Sequence, residues 1–276
     1  MILADHWVHD LDPIALHVGE SFGLRWYGLA YLAGFLAAYG LLLLYHRRGR
    51  WPLDRDANAE LMMTLAFGVL IGGRLGYVLL YNLGPSLRDP VSIIQIWKGG
   101  MASHGGFAGV LLAAWYSARR YDIPLAKLSD VLATLTPPGL LLGRVANFIN
   151  GELWGKVSDQ PWAVIFPSSA PAGAPLSSIP ARHPSQLYEA GLEGAFLLIY
   201  MQWRFWRGGE ARRPGQLSGE FILLYGLVRV LGELFREPDA ALIFGLSRGI
   251  FYSLFMILAG AAFLVILGRR PVPSKK

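Results

Sequence analysis

The chain has no cysteine and unusually few charged residues. Of its 276 residues, 16% are charged and 54% are hydrophobic, whereas an ordinary soluble domain has about 25% charged residues. A soluble protein this apolar would expose hydrophobic patches that it could not cover, so a soluble enzyme is nearly excluded. The absence of Cys excludes disulfides, thiolate metal sites and a cysteine nucleophile within the chain itself.

Long apolar segments predict a membrane protein. A bilayer core about 30 Å thick needs about 20 helical residues. Three apolar segments contain no Asp, Glu, Lys or Arg, and four more are interrupted by charges, which inside membrane helices face other helices or a wet cavity. We therefore expect an all-α, polytopic integral membrane protein with seven transmembrane helices, in which residues 1–276 form a single membrane-embedded domain. The predicted spans are 26–45, 61–83, 99–118, 128–149, 186–206, 216–235 and 249–268.

The distribution of basic residues predicts the orientation. Most of the 25 Lys and Arg residues lie in four clusters, which follow the first, third, fifth and seventh predicted spans. The positive-inside rule then places the C-terminus in the cytoplasm and the N-terminus outside. Segment 151–185 would also lie outside, and its six prolines predict an irregular segment. The clusters are Arg47, Arg48, Arg50 and Arg55; Arg119, Arg120 and Lys127; Arg204, Arg207, Arg212 and Arg213; and Arg269, Arg270, Lys275 and Lys276.

Arg144 and Arg229 lie within predicted spans, where a charge is costly and usually functional. One interpretation is internal pairing, since Arg229 and Glu233 are four residues apart on one helical face. The other is an anion site, because an arginine fork matches a phosphate and stays charged in a low dielectric. The anion present at that depth is a phospholipid head group.

Segment 143–155 (GRVANFINGELWG) is the densest polar stretch. On a continuous helix, Arg144 and Asn147 share a face. The alternative is a helix that stops at Asn150-Gly151, which leaves Arg144, Asn147 and Glu152 unexplained.

Helix-breaking and small residues also occur inside the predicted spans. Pro137-Pro138 predicts a break in the middle of span 128–149, which would free backbone groups to face a cavity. Gly72-Gly73, beside Arg74, is a similar pair of small residues, and its alternative interpretation is purely structural: the glycines allow tight helix packing.

His104 lies in the segment Ser103-His104-Gly105-Gly106. A lone histidine is usually structural, but one in a membrane cavity is also suited to take up a proton near neutral pH. The two glycines are expected to leave room for a ligand or another backbone.

Segment 182–189 (RHPSQLYE) begins the fifth predicted span. In the bland interpretation, Ser185 caps the helix and Tyr188 lies at the membrane interface. A zinc site from His104, His183 and a carboxylate has only weak support, since no HExxH or close histidine pair exists, and we predict no metal.

Segment 143–155 closely resembles the signature of the bacterial prolipoprotein diacylglyceryl transferase family. The resemblance covers most of the chain, in order. It includes RWYGLAYL (25–32), GGRLGYVLLYN (72–82), WKGGMASHGG (97–106), RHPSQLYE (182–189) and YGLVRVLGELFREPD (225–239).

The resemblance implies a seven-span enzyme of the bacterial inner membrane, with its active site toward the outer leaflet. Such an enzyme transfers the diacylglyceryl group of phosphatidylglycerol to the thiol of the lipobox cysteine of prolipoproteins. A thioether forms and glycerol 1-phosphate is released, which is the first step of lipoprotein maturation. The implied partners are phosphatidylglycerol, the prolipoprotein signal peptide and membrane lipids. No cofactor and no nucleic acid are expected.

The resemblance also implies the site residues. His104 is the expected base, with Tyr27 or Glu152 orienting it or relaying the proton. Arg144 and Arg229 are expected to hold the phosphate. The residues expected to bind substrate are Arg144, Asn147, Asn150, Gly155, Tyr225, Arg229, Glu233 and Arg236.

Two rival functions use the same residues differently. A transporter or lipid-binding protein would use the arginines only to hold an anion, although no internal repeat of the transporter kind is present. A membrane phospholipid hydrolase would use water as the acceptor.

Overall fold

The computed structural model describes residues 2–3, 6–18, 22–96, 99–208 and 213–269. Within that part of the chain the protein is mostly helical, with a few short strands. Trp97, Lys98, Arg212, Arg270, Lys275 and Lys276, which contributed to the motifs and basic clusters above, lie outside the described residues.

Two compact units make up the chain, one formed by residues 1–38 and 130–276 and the other by residues 39–129. The single domain expected from the sequence stays a prediction. The helices are α1 (Trp26–Arg47), α2 (Arg55–Tyr81), α3 (Leu83–Arg88), α4 (Ser103–Arg120), α5 (Leu125–Ile149), α6 (Ser185–Glu189), α7 (Leu197–Arg207), α8 (Gln216–Glu233) and α9 (Arg248–Arg269).

Each of the seven predicted spans falls on a helix, and span 186–206 corresponds to α6, a π-helical segment Ala190–Phe196 and α7. Three helices of the described part, α1, α2 and α9, are long and apolar enough to cross a membrane. That all seven cross a bilayer stays a prediction. Span 99–118 begins as a helix only at Ser103, because Gly99 and Gly100 adopt positive φ angles of 82° and 80°.

Helices α2 and α4 pack against each other in the unit formed by residues 39–129. Asp54 caps α2 by accepting the N–H of Ala57 at 2.9 Å. Glycines make the α2–α4 contact possible. A Cβ atom on Gly105 would lie 2.2 Å from the carbonyl oxygen of Gly72, and one on Gly109 would lie 1.9 Å from that of Gly68. The tight packing considered for Gly72 is therefore confirmed.

Short strands in the other unit tie the N-terminal residues to the segment before α6. The strands β1 (Ile2–Leu3), β2 (His6–Val8), β5 (Val164–Ile165) and β6 (Ala181–Arg182) form one sheet, in which β2 and β5 are parallel and the other pairs antiparallel. Strands β3 (Ile14–Val18) and β4 (Phe22–Arg25) form a hairpin directly before α1. The all-α expectation therefore describes the dominant helices but missed these strands.

The sheet has a small apolar core and leads to the end of α5. Val8, Ile165 and Ile179 are buried together. Next to Val8, the ring of His9 packs edge-on against Phe148, and its Nε2 lies 2.7 Å from the Phe148 carbonyl oxygen. This contact fixes the C-terminal end of α5.

The predicted break at Pro137-Pro138 is wrong, because α5 continues through both prolines to Ile149. Pro138 has no N–H, so the carbonyl of Thr134 loses its helical partner. Gln202 of α7 donates its Nε2–H to that carbonyl at 3.2 Å. A side chain from a neighbouring helix thus replaces the missing backbone donor.

Candidate active site

The C-terminal end of α5 turns sharply, and the turn places Glu152. Gly151, with φ +63°, donates its N–H to the Phe148 carbonyl at 2.9 Å, and Glu152 donates its N–H to the Asn147 carbonyl at 3.1 Å. This Schellman pattern ends many helices at a left-handed glycine, and it confirms the helix stop considered for Asn150-Gly151. The turn brings the Glu152 side chain back over the last turn of α5.

Two side-chain amides hold the carboxylate of Glu152. The Nδ2 groups of Asn147 and Asn150 donate to its Oε1 at 2.7 Å and 3.2 Å. Within the described part of the chain, Glu152 forms no ion pair. Tyr27, at the start of α1, lies close enough to Glu152 and Arg144 for their charges to act on its hydroxyl. The structure therefore brings five of the expected site residues together at this helix end.

Three arginines and three glutamates lie together in the same unit, and we call them the Arg–Glu cluster. Its formal charges balance. The carboxylates of Glu189 and Glu193 are fully buried, whereas the side chains of Arg144 and Arg229 remain 14% and 13% exposed. The members are Arg144 of α5, Glu189 of α6, Glu193 of the π-helical segment, Arg229 and Glu233 of α8, and Arg236 just beyond α8.

Glu189 is the centre of the cluster. Its Oε2 lies 2.8 Å from Nη1 of Arg144, while its Oε1 lies 2.6 Å from Nη1 of Arg229 and 3.3 Å from Nη1 of Arg236. One carboxylate thus meets all three guanidinium groups.

Glu193 and Glu233 complete the pairing. Glu193 accepts from Nε and Nη2 of Arg144 at 3.2 Å and 3.0 Å, and from Nη1 of Arg229 at 3.2 Å. Nη2 of Arg229 donates to Glu233 at 2.5 Å, so the internal pairing predicted for these two residues is confirmed. The Ser247 hydroxyl also donates to Glu233, at 2.6 Å.

This pairing changes what the arginines can do. Arg144 and Arg229 are each paired with glutamates. Removing one member of such a pair would leave the other as an uncompensated buried charge, which typically costs about 3–5 kcal/mol. A guanidinium nevertheless carries more N–H donors than these contacts use. Within the described residues, Arg144 and Arg229 therefore keep N–H groups that no protein acceptor takes.

Small residues make room for the buried acids and for the neighbouring loops. A Cβ atom on Gly249, the second residue of α9, would lie 2.3 Å from Cδ of Glu233, so a larger residue there would have to displace this carboxylate. A Cβ atom on Gly155 would lie 2.5 Å and 2.6 Å from the carbonyl oxygens of His183 and Phe235. Close backbone packing therefore explains Gly155, and its expected role in binding substrate stays a prediction.

The other expected residues lie around the cluster. Tyr225 of α8 is half-buried and interacts electrostatically with Glu193 and Arg229. Arg236 is buried and also pairs with Asp239 at 2.9 Å. Outside the helices, burial lowers the pKa of His183, whose Nδ1 lies 3.1 Å from the Tyr188 hydroxyl.

His104 belongs to the unit formed by residues 39–129. It is the second residue of α4 and is exposed. Of the two expectations for the following glycines, a ligand or another backbone, Gly105 meets the second, because its free side is filled by the backbone of α2. Gly106 has no atom closer than 3.8 Å to where its Cβ would lie. Among the described residues, no group of three or more His, Asp or Glu side chains could hold a metal ion.

Comparison with known proteins identifies the family. A family model described as "Prolipoprotein diacylglyceryl transferase" matches residues 13–266. The chain belongs to this family.

Relatives of the family are similar along almost the whole chain. A phosphatidylglycerol–prolipoprotein diacylglyceryl transferase of Ruegeria pomeroyi is 44% identical over 289 residues, covering 96% of this chain and 97% of the relative. Proteins of the same name from Bradyrhizobium diazoefficiens and Rhizobium meliloti are 43% and 44% identical. They cover 95% and 91% of this chain, and 93% and 90% of their own lengths.

In this member of the family, the structure adds residues to the site that the sequence did not indicate. Glu189 and Glu193 are two of the charges that interrupt the predicted span 186–206, and they pair with Arg144 and Arg229. Ser247 and Asp239 support Glu233 and Arg236. The available signal was the spacing of Glu189 and Glu193, since residues four apart share a helical face.

Proposed function

We propose that this chain transfers the diacylglyceryl group of phosphatidylglycerol to the thiol of the lipobox cysteine of prolipoproteins. Membership of the family along nearly the full chain carries this proposal. The buried Arg–Glu cluster supports it, because it places guanidinium groups with unused N–H donors beside a helix end rich in polar side chains.

The reaction replaces one bond at a glyceryl carbon. The cysteine sulfur attacks the diacylglyceryl carbon that bears the phosphodiester oxygen, so a C–S bond forms as that C–O bond breaks. The electron pair leaves with the phosphate, which departs as glycerol 1-phosphate, and the thiol proton passes to a base. A neutral thiol is a poor nucleophile, so proton removal and stabilisation of the departing phosphate are the two tasks of the protein.

Arg144 and Arg229 would stabilise the phosphate through the N–H groups that the carboxylates leave unused. Glu189 and Glu193 then keep both guanidinium planes oriented before substrate arrives, which lowers the cost of reorganisation during the reaction. Asn147, Asn150, Tyr225 and the other expected binding residues would contact the rest of the head group.

His104 would take the thiol proton, as the residue type best suited to titrate near neutral pH. Its exposure at the start of α4 supports access by a peptide. Glu152 and Tyr27 would orient or relay this proton. Glu152 suits a relay because two amides hold it and no arginine of the described residues pairs with it.

We further propose seven spans in the bacterial inner membrane, with the N-terminus and segment 151–185 outside and the C-terminus in the cytoplasm. The site would then face the outer leaflet, where the substrate phospholipid and the prolipoprotein signal peptide meet. Basic residues after alternate helices support this orientation.

The test is a reconstitution with a synthetic lipobox peptide. Purified protein would be placed in vesicles with or without phosphatidylglycerol, and the peptide mass and the released glycerol phosphate would be measured. The proposal expects one diacylglyceryl addition per glycerol phosphate. Glycerol phosphate released without peptide modification would instead identify a hydrolase, and neither product would favour a lipid-binding protein or transporter.

A further inference from the structure

Segment 182–189 lies alongside residues 152–156 and bonds to them along its length. Gly155 donates its N–H to the His183 carbonyl at 2.9 Å, and His183 donates its N–H to the Lys156 carbonyl at 3.0 Å. Nη1 of Arg182 donates to the Gly155 carbonyl at 3.1 Å. The two segments are therefore locked in one register before α6 begins.

Two side chains at the start of α6 continue this pattern toward Glu152. The Ser185 hydroxyl donates to the Leu153 carbonyl at 3.0 Å, and Nε2 of Gln186 donates to the Glu152 carbonyl at 2.6 Å. Both donors belong to residues that are fully buried. The bland interpretation of Ser185 as a helix cap is wrong, because its hydroxyl bonds to another segment and not to the end of its own helix.

The backbone that receives these bonds is strained. Leu153 adopts a φ angle of +59°, which is uncommon for a residue with a side chain and costs of order 1–3 kcal/mol. Such a conformation persists only where the surroundings hold it. Ser185 bonds the carbonyl of Leu153 itself, and Gln186 bonds the preceding carbonyl.

The same helical turn reaches the Arg–Glu cluster. Gln186 and Glu189 are three residues apart and so lie on one face of α6. Gln186 holds the loop that carries Glu152, while Glu189 contacts Arg144. One turn of helix therefore sets the position of the amide-held carboxylate relative to the arginines.

We propose that Ser185 and Gln186 are positioning residues that act through Glu152. They hold the strained turn at residues 151–153, so that the Glu152 carboxylate remains hydrogen-bonded to Asn147 and Asn150. This inference rests on the proposed function, in which Glu152 assists proton transfer. Neither residue touches the arginines that would hold the phosphate, so their loss should slow turnover without weakening phospholipid binding.

The test uses substitutions that remove the hydrogen-bond donor of Gln186 or of Ser185 and put an apolar side chain in its place. Gln186→Met keeps an unbranched side chain of similar volume, and Ser185→Ala is a second variant that removes only a hydroxyl. Gln202→Met is the matched control, because Gln202 also donates a side-chain amide to a backbone carbonyl of another helix, at 3.2 Å, away from the loop. Thioether formation would be measured against phosphatidylglycerol concentration for each full-length protein in vesicles, together with its melting temperature.

We expect Gln186→Met and Ser185→Ala to lower kcat by about tenfold or more while KM for phosphatidylglycerol changes by less than about twofold, the pattern of an interaction that matters only in the transition state. Gln202→Met should keep the wild-type kcat even where its melting temperature falls. In a Glu152→Gln background, Gln186→Met should lower kcat no further, since residues acting through one another are not additive.

Three results would overturn the inference. They are wild-type kcat in both variants, an equal loss of kcat in Gln202→Met, or full additivity with Glu152→Gln. The wild-type protein tests the proposed function separately in the same assay. If it forms no thioether, the proposed function fails and this inference fails with it, whereas an active wild type with additive variants refutes the positioning role alone.

Discussion

At the scale of single side chains, Arg144 is held by two carboxylates at once. Arg144→Lys keeps the charge but has three N–H donors instead of five, so after bonding Glu189 and Glu193 it has at most one left for a phosphate and no planar fork. A hydrogen bond to a charged group is worth about 1.5–3 kcal/mol, so we expect thioether formation to fall by about tenfold to a hundredfold. Rates of peptide modification in phosphatidylglycerol vesicles would measure this.

The chain offers a matched control for that substitution. Arg204 of α7 bonds Glu220 of α8 through two N–H groups, at 2.8 Å and 2.5 Å, outside the Arg–Glu cluster. Arg204→Lys removes the same kind of two-point pair and should leave the transfer rate nearly unchanged. Equal losses in the two variants would mean that Arg144 matters only for the stability of the fold.

His104→Gln separates a catalytic from a structural histidine. Glutamine keeps a hydrogen-bonding side chain but cannot accept the thiol proton, and general base catalysis is typically worth about 10²–10⁴-fold. We expect turnover to fall within that range while phospholipid binding persists. Transfer at the normal rate by the variant would show that His104 is structural and would leave proton removal to Glu152 or to the field of the arginines.

The polar residues of the site were predictable from the sequence, but their partners were only partly so. Arg144 and Arg229 stand out because charges are rare in apolar helices. The pairing of Arg229 with Glu233 follows from local spacing. The pairing of Arg144 with Glu189 and Glu193 depends on how α5 packs beside α6, which no local pattern specifies. The sequence therefore left open whether these arginines pair internally or bind an anion, and the structure shows that both pair with glutamates.

At the scale of elements, glycine determines how closely α2 and α4 approach. Gly105→Ala and Gly109→Ala would each place a methyl group against the backbone of α2, and overpacking of this kind costs about 1–3 kcal/mol or more. We expect both variants to unfold at lower temperature than the wild type, as followed by circular dichroism in detergent.

Gly106→Ala is the control for those two variants, because its new methyl group would meet only ordinary contacts at 3.8 Å and beyond. It removes a neighbouring glycine from the same helix, so it corrects for the change in helix propensity, which is about 1 kcal/mol in favour of alanine. A melting temperature of Gly105→Ala as high as that of Gly106→Ala would refute the packing argument.

Hydrophobic runs in the sequence predict where the helices lie. Whether a helix continues through a proline, and where short strands form, depends on contacts with residues far away in the sequence. Pro138 predicts a break in α5 by local rules, yet the helix continues because Gln202 satisfies the carbonyl that the proline leaves free. The two-residue strands escaped prediction for a similar reason. Trp7 pairs with Val164, and strands this short carry too little alternation to be recognised before their partners are known.

Seven spans are predicted for the whole molecule, whereas three helices of the described residues are long and apolar enough to qualify alone as membrane spans. Of the other helices that form the cluster, α5 and α8 carry charges within their apolar runs, whereas α6 has only five residues and continues into the π-helical segment and α7. Those charges face one another, so these helices can cross a bilayer within a bundle although they could not do so singly.

The orientation in the membrane can be tested directly. Basic residues after alternate predicted spans predict a C-terminus inside, and an odd number of spans then predicts an N-terminus outside. A reporter that is fluorescent only in the cytoplasm should be active when fused after residue 276. A reporter that is active only outside should be active when inserted near residue 172, in the segment before α6. Exchanging the two reporters is the internal control, because each should then be silent. Both sites reporting from the same side of the membrane would contradict the three crossings expected between residue 172 and the C-terminus, and with them the seven-span arrangement.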